Sequence, residues 1–426
     1  MNVFLRHLQR SSYVWRAPRL WRRRFVFWIG AAVVGLAAAA FAAIADWSQA
    51  MFFGLRSHSP LLASAATVLG FVICAEIARR WAPGARGSGI PQAIAARRDE
   101  SMEVRSSLIG AKVTALKIIL TLVGLAIGAS IGREGPTVQI GACIMFLVSQ
   151  HAGLRQKSGI VLAGAAAGVA GAFNTPLAGI VFAIEELAKS YDRRINSLVI
   201  AAVAIAGVTS TLLVGDYHYF GAVKTAFEFQ WYWTAVPLCA VVGGVSGGVF
   251  SGIVIHFAFN RSHFVRRIRS IPILFAAGCG VAMAALGWVT DGYANGTSYQ
   301  ATHHALESGI GLPWWYGFCK LAATLFSSIS GIPGGLFSPS LSVGAALGQT
   351  VSWIIPGVPT TTIFLLMMAA YFSAVVQAPL TAFVIVLEMT TDTNVALPLI
   401  LVTLIAAAIS RVICPTPLYH ALSRTF

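Results

Sequence analysis

The stretch Gly128-Ala-Ser-Ile-Gly132-Arg133-Glu134-Gly135-Pro136 returns 203 residues later as Gly331-Ile-Pro-Gly334-Gly335-Leu336-Phe337-Ser338-Pro339. The register holds on both sides without a gap. Lys117 falls on Lys320, Thr121-Leu122 on Thr324-Leu325, Gly141-Ala142 on Gly344-Ala345, Pro176-Leu177 on Pro379-Leu380 and Glu185 on Glu388. Two copies of one unit, interrupted by Gly and Pro at matching places in an apolar chain, are how transporter folds show in sequence. A binding site is expected where the interrupted segments meet.

The copies read as inverted. Lys189, Arg193 and Arg194 follow Glu185, whereas Asp392 follows Glu388 and no basic residue comes before Arg411. Basic loops stay cytoplasmic, so equivalent ends of the two copies are expected on opposite sides of a membrane. The first repeat spans about 60–215 and the second about 265–419.

The chain has 426 residues, 57% hydrophobic and 11% charged, with a mean hydropathy of +0.75. Soluble domains carry about 25% charged residues, so lipid is the expected solvent. Several apolar windows, such as 159–173, 176–188, 361–376 and 379–389, fall short of the roughly 20 residues that cross a bilayer. Such short segments imply tilted or half-way helices buried in protein, with broken backbone lining a cavity. The class predicted is an all-α polytopic membrane protein.

The formal charge of +15 does not indicate nucleic-acid binding. Its sources are loops and ends: a run from Arg6 to Arg24 before the first span, then Arg79-Arg80, Arg97-Arg98, Arg155, Lys157 and Arg261 to Arg269. The N-terminus is therefore expected in the cytoplasm. Residues 1–24 read as a basic cytoplasmic arm lying on the membrane surface, in preference to a signal peptide, because the basic stretch is long and a full-length span follows. Residues 25–426 read as the membrane domain, with the C-terminus also cytoplasmic and no soluble regulatory domain after it. The predicted outer loops hold a mixed set: Arg56, Asp216, Lys224, Glu228, Asp291 and Glu307. The six cysteines stand singly, the nine histidines are dispersed, and the pair His303-His304 reads as a solvated loop. Neither metal nor cofactor is expected.

Three glycine-rich signatures lead into prolines and then into apolar helical runs: Gly87-Ser88-Gly89-Ile90-Pro91, Gly132-Arg133-Glu134-Gly135-Pro136 and Gly334-Gly335-Leu336-Phe337-Ser338-Pro339. Proline suits the first turn of a helix, and glycine lets backbone approach a ligand. Each motif therefore reads as a helix N-terminus, with free N–H groups at the positive end of a dipole. Three of them converging in mid-membrane make an anion site without a full positive charge, which lets an ion be released as well as held. Neither G-x-G-x-x-G in a βαβ setting nor G-x-x-x-x-G-K-[ST] is present, so a nucleotide loop is not indicated.

These motifs, with Pro417-Leu418-Tyr419 near the end, resemble the CLC family of chloride channels and chloride/proton exchangers, from about residue 25 to Tyr419. The resemblance implies a fold of two inverted halves, assembled as a homodimer with one pore in each subunit. It implies a central anion held by the hydroxyls of Ser88 and Tyr419 and the N–H groups of Leu336 and Phe337. The flanking residues Gly87, Gly89, Ile90, Pro91, Arg133, Gly135 and Ser338 complete the expected site. Ser88, where a proline is the family alternative, implies chloride as the substrate. Glu134 matches the external gating glutamate, which when ionised mimics the anion and when protonated swings away. Glu186 matches the internal proton glutamate of exchangers; channels commonly carry an apolar residue there.

Glu185 has a repeat mate, Glu388, but Glu186 falls on Met389. Glu185 and Glu388 are accordingly expected to cap partner helices, and Glu186 to serve the proton. One departure stands out: family exchangers often have acids after the first motif, where this chain has Gln92, Ala93 and Ile94. That leaves the partner of the buried Lys117 open. The expected function is chloride/proton antiport, with a passive chloride channel of the same fold as the alternative reading. An integral-membrane enzyme acting on an anionic lipid would need a metal cluster or a nucleophile–base set near the helix starts, and only scattered His and Cys are found. A bacterial inner membrane is the expected location.

Overall fold

A computed structural model of the chain describes residues 18–99, 101–151, 153, 157–189, 193–215, 220–221, 232–259, 262–309, 313–390 and 392–426. Apolar composition without alternation builds helices. The first repeat holds α2 (Pro60–Trp81), α3 (Ile90–Arg98), α4 (Met102–Ile109), α5 (Ala111–Ala126), α6 (Glu134–His151), α7 (Lys157–Phe173), α8 (Pro176–Phe182) and α9 (Arg193–Val214), after α1 (Pro18–His58). After α10 (Ala235–Ala258), the second holds α11 (His263–Arg269), α12 (Pro272–Val289), α13 (Tyr299–Ser308), α14 (Tyr316–Ile329), α15 (Phe337–Ile354), α16 (Thr360–Val376), α17 (Pro379–Thr390), α18 (Ala396–Ile413) and α19 (Leu418–Leu422).

Seven helical stretches among the described residues are long and apolar enough to cross a membrane. Helix α1 is the longest of the described helices. Its 41 residues extend about 60 Å at 1.5 Å per residue, twice the hydrocarbon thickness. Its described span includes Arg22, Arg23 and Arg24; residues 1–17 of the expected arm lie outside the described residues.

The short apolar segments are the buried ones. Every residue of α16 from Thr362 to Val376 is buried, as befits a helix that is apolar all round. The two halves pack alike at equivalent helix pairs. Gly141 of α6 meets the carbonyl of Gly164 on α7, and its repeat mate Gly344 of α15 meets the carbonyl of Met367 on α16. A side chain at either glycine would collide with that backbone, so these small residues set how closely the helices approach. Lipid-facing side chains such as Leu69 and Ile73 of α2 and Leu212 of α9 remain exposed.

The repeat mates Glu185 and Glu388 cap each other's helices. Glu185 accepts from the backbone N–H groups of Leu380 (3.1 Å) and Thr381 (2.6 Å) and from the Thr381 hydroxyl (2.7 Å), all in the first turn of α17. Glu388 accepts from Leu177 (3.0 Å) and Ala178 (2.7 Å) in the first turn of α8. Each carboxylate satisfies orphan donors at the positive end of a helix dipole.

Candidate functional site

The three glycine-rich loops meet. Gly87 N–H donates to Ile332 O (3.3 Å) and Gly334 N–H to Gly87 O (3.0 Å), while Gly132 and Gly335 exchange both backbone bonds at 2.8 and 2.7 Å. These short bridges are sheet-like pairings in a helical protein, and they hold the N-termini of α3, α6 and α15 together. Two glycines make the approach possible. Gly89 lies at φ +109°, and a Cβ there would come within 2.4 Å of Gly135 O; a Cβ on Gly135 would come within 2.3 Å of Ser88 Oγ. The Gly135 Cβ would also come within 2.5 Å of the Ser88 carbonyl oxygen, so both positions meet backbone that cannot yield and the loops fit only without side chains there.

Glu134 is the first residue of α6 and has no exposed surface. Its carboxylate leaves its own helix and reaches the start of α15. It accepts from Ser338 N–H at 3.4 Å and from the Ser338 hydroxyl. The resemblance placed the family's anion at the Leu336 and Phe337 amides; the carboxylate sits one to two residues along the same helix start. Arg133 turns away from this point. It donates to Ala42 O (2.8 Å) and pairs with Asp46 (2.6 Å), on the wall of a cavity of about 350 Å³ that also holds Gln49, Tyr299 and Gln300. Arg133 thus pairs with Asp46 on the cavity wall while its charge still acts on Glu134.

Ser88 and Tyr419 are both buried, and neither hydroxyl makes a well-formed hydrogen bond within the protein. Buried hydroxyls are nearly always satisfied, so an orphaned pair near one another marks a place for a ligand that accepts hydrogen bonds. Tyr419 also stands within electrostatic reach of both Glu186 and Glu134. Phe337 is the hub of an aromatic cluster. Its ring centroid lies 4.8 Å from Phe372, 5.5 Å from Phe182, 6.0 Å from Tyr419 and 6.1 Å from Phe173. Ile90 and Pro91 are buried at the start of α3.

Glu186 occupies a single turn of π-helix, Ala183–Ala188, that continues α8. Such turns recur at functional positions because the extra residue re-aims a side chain. It is 1% exposed, which excludes a solvated carboxylate beside Lys189. Its Oε1 has no hydrogen-bond partner. Its nearest ionisable contact is His420, whose Nε2 lies 3.7 Å from that oxygen and donates to the Glu186 carbonyl at 2.7 Å.

Lys117 finds its partners in the backbone. Its ammonium donates to Ala85 O at 2.9 Å and to Gly87 O, fixing the loop just before Ser88. The mate Lys320 donates to Ser130 Oγ (2.8 Å), Ala294 O (3.0 Å) and Gly296 O (2.8 Å). Gln92, standing where family acids are common, accepts from Gly89 N–H (3.0 Å) and donates to Gly84 O (3.0 Å) and Arg86 O (2.5 Å). The loop that carries Ser88 is thus braced by one amide and one ammonium.

A profile of the voltage gated chloride channel family matches residues 70–411. The chain belongs to that family. Among curated relatives, the H(+)/Cl(-) exchange transporter ClcA of Yersinia pestis bv. Antiqua and that of Yersinia pseudotuberculosis are each 32% identical over 422 residues, covering 92% of this chain and 85% of theirs. Among solved structures, a slow cyanobacterial Cl-/H+ antiporter superposes with a TM-score of 0.79 at 21% identity, over 95% of this chain and 97% of that one. A CLC-type fluoride/proton antiporter gives 0.78 at 19% identity, over 94% and 98%. These likenesses give the fold: a CLC-type membrane protein of two inverted halves. The joined helix starts bring Ser88, Glu134 and Phe337 into one region, with the Tyr419 ring against Phe337. Asp46 and His420, and the partners of Lys117 and Gln92, escaped the motif reading because those partners are backbone atoms or lie far along the chain.

Proposed function

We propose that this CLC protein is a chloride/proton antiporter, with Glu134 as its outer gate and proton carrier and Glu186 as its inner proton port. The observation that carries the reading is the Glu134 carboxylate lodged against the N-terminus of α15, where an anion would sit. The named exchangers among its relatives support coupling over passive conduction, and so does the burial of Glu186.

The cycle follows from charge. Ionised Glu134 is held by the Ser338 donors and the helix dipole. A proton from outside removes that charge, and the neutral side chain gives way to chloride, which takes up the hydrogen bonds of Ser88, Tyr419 and the amides of Leu336 and Phe337. Protons reach the centre from within through Glu186, past Tyr419. Chloride and proton therefore compete for one place and move in opposite directions. A buried carboxylate without a counter-charge is costly in a membrane, so Glu186 is well suited to take up and pass on a proton.

The resemblance extends the proposal to a homodimer with one pore in each subunit, set in a bacterial inner membrane with both termini cytoplasmic. The repeats at about 60–215 and 265–419 form its transport unit, and 1–24 a basic cytoplasmic segment. The decisive test is purified protein in liposomes with an imposed chloride gradient and internal pH recorded. The gradient should drive protons uphill; chloride flux without proton movement would reduce the protein to a passive channel.

A further inference from the structure

A second basic cavity, of about 310 Å³, opens between the end of α2 and the start of α12. Arg79, Arg86 and Arg269 line it, facing one carboxylate, Glu76. That carboxylate is already held by Arg79, through bonds of 2.8 and 2.7 Å, and by Arg80. The three cavity arginines lie close enough that Arg269 and Arg79 push the Arg86 guanidinium below its ordinary pKa, after burial, which is the larger cause. Like charges brought together in a half-buried pocket call for an anion.

Two surroundings say which one. Leu69 and Ile73 of α2 and Ile273 and Leu274 of α12 are exposed apolar side chains along the same two helices. The cavity is thus the polar end of a lipid-facing flank, with guanidinium groups at the boundary where acyl chains end. Basic pockets between spanning helices are where acidic lipid heads bind. The wall also contains the stems of two of the three site loops. Arg86 immediately precedes Gly87-Ser88, and Ser330 and Gly331 lead into Gly334-Gly335. The backbone carbonyl of Arg86 is the one gripped by Gln92.

We propose that this cavity binds the phosphate head of an anionic phospholipid, and that the bound phosphate, by tying Arg86 to Arg269, steadies the loop carrying Ser88 and raises the transport rate. The binding half stands by itself; the rate half rests on the antiport reading.

The test uses the full chain and phosphatidylglycerol as probe. Native mass spectrometry of the protein in detergent should show phosphatidylglycerol retained in preference to phosphatidylcholine, with retention falling about fivefold for each of Arg86→Gln and Arg269→Gln. Arg86→Lys should retain it. Arg269 also holds the carbonyls of Phe257 and Ala258, so Ser270→Asp, which places a carboxylate in the wall without removing an arginine, gives a second route to the same loss. Equal retention by the wild type, Arg86→Gln and Ser270→Asp overturns the site. Binding of inorganic phosphate in place of the lipid, displacing it at millimolar concentration, overturns the lipid assignment. In liposomes, adding phosphatidylglycerol to phosphatidylcholine should raise chloride flux severalfold in the wild type and not in Arg86→Gln. A flat response with lipid still bound overturns the rate half. Absence of chloride flux in every lipid overturns the antiport reading and leaves the binding result standing.

Discussion

Where the two repeats keep the same residue they do the same work, and where they differ the work differs. Lys117 and Lys320 are both buried and both donate to pairs of backbone carbonyls, Lys117 beside Ser88 and Lys320 in the segment Ala294–Gly296. Glu185 and Glu388 cap reciprocal helices. At the repeat offset, however, Glu134 meets Phe337 and Glu186 meets Met389, all four buried. Each pair sets a titratable group against an apolar one at the same point of the fold. A fully symmetric pair of halves would offer identical chemistry to both sides of the membrane. The two unmatched carboxylates give the proton path distinct outer and inner ends, while the matched residues hold the frame in which those ends are placed.

The largest effects should come from erasing the asymmetry. Glu134→Gln leaves a neutral side chain resembling the protonated gate; proton transport in liposomes should fall to background while chloride flux persists. Surviving proton movement would take the gate away from Glu134. Glu186→Val makes the first half as apolar here as the second. Proton uptake should again cease with passive chloride flux retained, since Ser88 and Tyr419 do not depend on that carboxylate. Retained coupling would move the inner port elsewhere, with Glu185 the first candidate.

A smaller effect is expected at the centre, which belongs to neither repeat's shared set. Tyr419→Ala removes one of two orphaned hydroxyls. A hydrogen bond to a charged group contributes about 1.5–3 kcal/mol, so chloride affinity by isothermal titration should fall by roughly one to two orders of magnitude. Coupling should slip as well, because the anion is no longer held while the proton crosses. An unchanged binding constant would remove Tyr419 from the site.

Legibility followed the same division. The repeat, the three helix starts and the mutual caps were readable because they rest on residue types at fixed spacing, and helix termini obey local rules. The partner of Lys117 was not, because backbone carbonyls carry no signature in sequence. Arg133 paired with Asp46, 87 positions earlier, instead of turning into the site, which only the packing of α1 against α6 decides. The π-turn that buries Glu186 also escaped notice: its sequence continues an ordinary helical run, and the neighbouring lysine and arginines suggested solvent. The length of α1 went unread because its polar ends lie outside the apolar window that marks a span.

The smallest expected effect tests the matched pair itself. Glu185→Ala leaves the donors of Leu380 and Thr381 unpaired at the start of α17, and Glu388→Ala does the same to Leu177 and Ala178 at the start of α8. Loss of a helix cap costs about 0.5–2 kcal/mol, and the equivalence of the two caps predicts similar losses, read as a lowered thermal midpoint in detergent. The caps join the same two helices, so their removal should not be additive: once one end of the α8–α17 pair is loosened, the second cap has less to hold. The double variant should therefore lose less than the sum of the singles. Chloride/proton coupling should survive in both singles, since neither carboxylate lies on the proposed proton path. If Glu185→Ala alone abolished proton transport, the matched glutamates would no longer be equivalent, and the inner proton port would include Glu185 beside Glu186.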